Sequence, residues 1–179
     1  MIGSEVLLTS AEISLALCGF GSVVAAFSGD RKQWEAMEVV RFRALIVISL
    51  TAALVALIPF LLFYAGIEAA EMWALASTVV AVLSSGLLIG MLVYARVPMV
   101  THGSRIWSFI AISIASLVVL VNVLNVLSIG FRSSFTGYFS GLLFMLILAG
   151  LYFIRLIILS GPQARGRQAP PASDRKLPP

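Results

Sequence analysis

Arg41–Met72 reads RFRALIVISLTAALVALIPFLLFYAGIEAAEM. The arginines stop at Arg43, residues 44–67 carry no charge, and acidic residues follow at Glu68 and Glu71. A helix rises about 1.5 Å per residue, so this run reaches roughly 36 Å, enough to cross a hydrocarbon core of about 30 Å with modest tilt. Four more stretches share its character. Together with Ala44–Ile67, the expected spans are Leu7–Ser28, Trp73–Tyr94, Ile106–Ile129 and Phe139–Leu159, each of 21 to 24 residues. Only helices satisfy their own backbone groups in lipid, and segments this long and uniform do not read as barrel strands. The expected fold is all-α: an integral membrane bundle of five transmembrane helices over residues 1–160.

Composition agrees. With 60% hydrophobic and 11% charged residues in 179, a soluble domain would have too little interior for its apolar side chains. Of the 12 Lys and Arg, Arg132 alone falls in the set made of the chain start, Glu68–Met72 and Gly130–Tyr138. Arg155 sits inside the last span, and the remainder lie in Gly29–Arg43, Ala95–Arg105 and Ser160–Pro179. Loops rich in Lys and Arg stay in the cytoplasm, so the N-terminus is expected outside and the C-terminus inside. The net charge of +4 is a topology signal, set beside anionic headgroups. No basic face, finger or stacking motif accompanies it, so no nucleic-acid partner is expected. Cys18 is the single cysteine, which excludes a disulfide framework and leaves a small packing residue. Met1–Ser10 contains Glu5 and no Lys or Arg, and bulky Leu17 precedes Cys18. The first span is therefore expected to be retained rather than cleaved as a leader.

Thr9-Ser10-Ala11-Glu12 fits a capping box at the start of the first helix, and Asp30-Arg31-Lys32-Gln33 fits another. The second would open a short interfacial helix over about residues 31–41. Trp34, Met37 and Val40 would lie on the membrane surface, with Arg31, Glu35 and Glu38 opposite. Pro59 should bend the second span. Ser104 is a candidate N-cap for the fourth, and Ser160-Gly161-Pro162 a stop for the fifth. Residues 161–179 form a basic, Pro-rich cytoplasmic tail that buries too little apolar surface to order itself.

Small residues let membrane helices approach closely. In the first span Ala11, Ser14, Cys18, Gly21, Ala25 and Ser28 recur at three- and four-residue steps, with Ala16, Gly19, Ser22 and Ala26 alongside. Bulky Ile13, Leu17, Phe20, Val24 and Phe27 lie opposite, which makes this helix the expected centre of the bundle. Gly86 and Gly90, and likewise Gly137 and Gly141, are spaced as GxxxG, and Asn122 and Asn125 belong to a stripe on the fourth span that also carries Ala111, Ala115 and Val118. Polar groups in lipid are costly and draw attention. Glu12, Asn122 and Asn125 all fall in the outer leaflet by this topology. Two readings stand. Glu12 caps a helix and the asparagines are interhelical glue, or the three line a small polar cavity opening outward, with Glu68 and Glu71 at its mouth and Arg132 as the cation available for pairing. Arg155 can snorkel to the inner headgroups. His102 is a loop residue without an acidic companion. Gly19-Phe20-Gly21-Ser22-Val23-Val24 lacks the final small residue of a dinucleotide fingerprint, and no P-loop or zinc-protease motif occurs. No enzymatic activity, cofactor or metal is expected.

Glu12–Phe27, with its Gly19–Val24 segment, followed by Arg41-Phe42-Arg43, resembles uncharacterised small multi-pass membrane proteins of the bacterial inner membrane. The likeness covers the first two spans and implies a location but no activity. The functional expectation is an accessory or scaffold subunit in the lipid bilayer, packing with itself or a larger membrane partner. The alternative is a small channel or transporter built on the outer polar cluster.

Overall fold

The structure is a computed structural model in which residues 3–27, 36–95, 102–127 and 134–160 are described. The described residues form five helices: α1 (Ser4–Phe27), α2 (Ala36–Tyr64), α3 (Ala69–Ala95), α4 (His102–Val126) and α5 (Phe135–Ser160). Each is long and apolar enough to cross a membrane. Large apolar side chains cover the outside, among them Leu61 at 71% exposed and Phe109 at 75%, as lipid rather than water would require.

Several boundaries differ from the expected ones. α1 starts at Ser4, with the Leu7 N–H donating to the Gly3 carbonyl at 3.0 Å. The Thr9–Glu12 box is therefore inside the helix. The Ser10 hydroxyl donates back to the Val6 carbonyl at 2.7 Å, which lets a serine sit within a helix. Ala36–Arg41, the second half of the expected surface helix, is continuous with α2 because nothing from Ala36 to Ala44 breaks a helix. Its first half, with Arg31, Trp34 and Glu35, lies outside the described residues, as do Arg132 and the tail 161–179. α4 begins at His102, so Ser104 falls within its first turn. α5 begins at Phe135, one turn before the expected start.

The α2–α3 turn shows how local chemistry sets an end. Gly66 has φ +78°, a left-handed conformation that glycine adopts without strain. The Gly66 N–H donates to the Phe63 carbonyl at 3.1 Å and the Ile67 N–H to the Leu62 carbonyl at 3.3 Å. This pair of bonds closes the helix end as a Schellman motif. The chain then needs only residues 65–68 to return as α3.

α5, not α1, is the hub: it packs against all four other helices, most extensively α4 and α2. α1 packs on α2 and α5 through Leu7, Ala11, Ser14, Gly21 and Ala25, all buried. Of the expected inner row, Ala11, Ser14, Gly21 and Ala25 are thus inside, Cys18 is half-buried and Ser28 lies outside the described residues; α1 itself lies at the edge. Two apolar clusters fill the interior. One surrounds Tyr138, Trp73, Val55 and Met145; the other surrounds Leu45, Ile48, Ala111 and Leu156.

Candidate functional site

At Pro59 the α2 helix loses an N–H, and the carbonyl four residues earlier, that of Val55, loses its donor. Pro59 is fully buried, so water cannot replace it. Tyr138 of α5 does: its wholly buried hydroxyl donates to the Val55 carbonyl. The Tyr138 ring lies 5.6 Å from that of Trp73, and Trp73 packs edge-on to Phe135 at 5.4 Å. One tyrosine thus closes the backbone gap in α2 and anchors the aromatic cluster between α3 and α5.

The asparagines extend this polar seam. The Asn125 amide donates to the Ser77 hydroxyl on α3 at 2.7 Å and to the Ser134 carbonyl at 3.3 Å, while its carbonyl accepts the Ser134 N–H at 3.0 Å. Ser134 in turn accepts the Tyr138 N–H at 3.3 Å and so caps α5. One side chain of α4 therefore ties α3 and sets where α5 begins. Asn122 donates to the Val118 carbonyl at 2.8 Å, and its own carbonyl oxygen is buried without a partner among the described residues. Both asparagines press on glycines of α5. A Cβ at Gly137 would fall 2.5 Å from Asn125 Cγ, and one at Gly141 would overlap the Asn122 amide. The pair is enclosed between helices and opens on no cavity: both side chains are 0% exposed.

Glu12 does not join them. Its side chain is exposed on α1. The other small residues divide. Ser14 is fully buried and donates to the Ser10 carbonyl at 2.8 Å; Cys18 is half-buried; Gly21 accommodates the Leu45 side chain. Gly19, Gly86 and Gly90 are exposed, and a Cβ at any of them would meet nothing within 4 Å.

Gly86 and Gly90 instead form one wall of a half-open cleft of about 360 Å³ between α2, α3, α4 and α5. Arg41, Arg43 and Arg155 line it together with Trp107. The Arg155 guanidinium stands 5.6 Å from the centre of the Trp107 ring, a cation–π distance. Sequence reasoning placed Arg155 at the headgroups but did not bring it to Trp107 or to the α2 arginines. It also missed Tyr138, Ser77 and Ser134. The one legible signal was Pro59, which demands a donor for the Val55 carbonyl somewhere in the bundle.

Comparison of the chain with protein-family models, with curated proteins and with solved structures gave no significant match.

Proposed function

We propose that the protein is a non-enzymatic accessory or scaffold subunit of a bacterial cytoplasmic membrane. In this reading its N-terminus is outside, its C-terminus is cytoplasmic, and it packs with itself or a larger membrane protein through one face of α1. The observation that carries the proposal is that Glu12, Ala16, Gly19, Val23 and Ala26 are all exposed. They succeed one another at alternating four- and three-residue steps, which puts them on one side of the helix. Small residues facing lipid give up contact that larger ones would make, whereas a second helix laid along them could approach closely. Glu12 lies about 12 Å along α1 from Ser4, where a carboxylate benefits from a polar partner. The orientation is supported by charge. Among described side chains, Arg41, Arg43 and Arg155 lie toward one end of the bundle and Glu5, Glu12, Glu68 and Glu71 toward the other. The bacterial location draws on the resemblance of the first two spans. What speaks for the subunit reading over a channel built on the outer polar cluster is that the asparagines are enclosed while Glu12 is exposed on α1.

Cross-linking in native membranes tests the proposal. With Cys18→Ala as background, Ala16→Cys and Ala26→Cys should cross-link to a second copy or to another protein, and Leu54→Cys, exposed on α2, should not. Adding Gly19→Leu should abolish the cross-link. Uncross-linked chain at both α1 positions, or solute flux through liposomes containing this chain alone, would defeat the reading. Cross-linking of the purified chain separates self-association from a distinct partner.

A further inference from the structure

We infer that the arginine-lined cleft holds one anionic phospholipid, with its phosphate on Arg41, Arg43 and Arg155 and an acyl chain lying against Gly86 and Gly90. The inference is independent of the α1 face. Its first support is charge: three arginines, Arg41, Arg43 and Arg155, line one cleft. Arg41 and Arg155 come from helices far apart in sequence, α2 and α5, yet line the same cleft. An anion held there is attracted by both. Guanidinium forks match phosphate oxygens two at a time, and Trp107 holds the Arg155 fork in place from one face.

The second support is shape. The rest of the lining is mostly apolar, with Val47, Met91 and Leu151 facing the same space as the two glycines. Because α3 has no side chain at 86 or 90, the helix surface is hollow at those positions, and the volume of about 360 Å³ lies within the roughly 300–1,000 Å³ of small-molecule sites. The arginines sit in the right place for a lipid of the adjacent leaflet. Arg41 and Arg43 are in the first two turns of α2, and Arg155 is five residues before the end of α5, about 8 Å from it. Arginines near the helix ends beside a mostly apolar cleft are the profile of a phospholipid, with its headgroup toward those ends. A soluble anion would need no such apolar cleft, and an apolar helix would leave the arginines against hydrocarbon.

The test uses the full chain purified in mild detergent, to which phosphatidylglycerol or phosphatidylcholine with identical acyl chains is added. Retention is read by native mass spectrometry. Wild type should retain phosphatidylglycerol at least tenfold more than phosphatidylcholine. Arg41→Gln with Arg155→Gln should bring that ratio near one. Gly90→Leu, placed where nothing lies within 4 Å, should lower retention of phosphatidylglycerol several-fold while the arginines remain. Equal retention of the two lipids by wild type overturns the inference. So does undiminished retention in Gly90→Leu, which applies even if the arginine variant fails to fold. Displacement of bound lipid by millimolar inorganic phosphate alone would show that the apolar wall contributes nothing, and would also overturn it.

Discussion

A buried carbonyl without a donor is expensive wherever water is excluded, and Pro59 creates one at Val55 by lacking an N–H. The Tyr138 hydroxyl removes that cost. Tyr138→Phe should therefore destabilise the bundle by about 1–2 kcal/mol, measured by unfolding in mixed micelles. In a Pro59→Ala background the residue 59 N–H can serve the same carbonyl, so the loss from Tyr138→Phe should shrink to about 0.5 kcal/mol or less. Equal losses in both backgrounds would mean that the hydroxyl matters for something other than the proline. The proline was legible in the sequence and so was the vacancy it makes. The tyrosine was not, because 83 residues separate Tyr138 from Val55 and only the fold brings them together. The asparagines were visible as costly residues in lipid, and their spacing put them on one face. That Ser77 and Ser134 would answer Asn125 depended on the positions of α3 and α5.

Between elements, what counts is how close two helix axes can come. Gly86 with Gly90 and Gly137 with Gly141 look the same as strings. In the bundle they are opposites: α5 uses its pair to admit the asparagines of α4, while the pair on α3 faces the cleft. Gly141→Ala should cost about 1–3 kcal/mol by overpacking against Asn122, and Asn122→Ala should recover much of it. Gly86→Ala should be neutral or stabilising by up to about 1 kcal/mol, the helix preference of alanine over glycine. Thermal unfolding of the three variants in detergent checks all of this. Two helices start earlier than expected. The Thr9–Glu12 box lies inside α1, which already begins at Ser4, and Phe135–Tyr138 belongs to α5, whose start carries a bond from another helix, that between Asn125 and Ser134. α1 lost the centre of the bundle to α5 for a separate reason. Small residues on two adjacent rows permit packing on both, yet only the Ala11–Gly21–Ala25 row found a neighbour.

For the whole molecule, five helices with basic connections at one end predict an orientation that reporters can read. A fusion after Pro179 should be active as a cytoplasmic reporter, and one placed in residues 130–133 as an external one. A C-terminal fusion that is active outside would reverse the proposed topology. What the amino-acid sequence by itself determined was the number of helices long and apolar enough to cross a membrane and the connections in which the cations collect, because in hydrocarbon a backbone has no choice but helix and cations are confined to the flanks. What only the tertiary structure decided was which polar and small residues would meet. Packing of α3, α4 and α5 turned Asn122 and Asn125 from a candidate cavity into a sealed joint, and the approach of α2 and α5 gathered three arginines beside a hollow in α3. Apolar helices look alike to lipid on every side, so it is contact between them, and not their hydrophobicity, that assigns each face its neighbour.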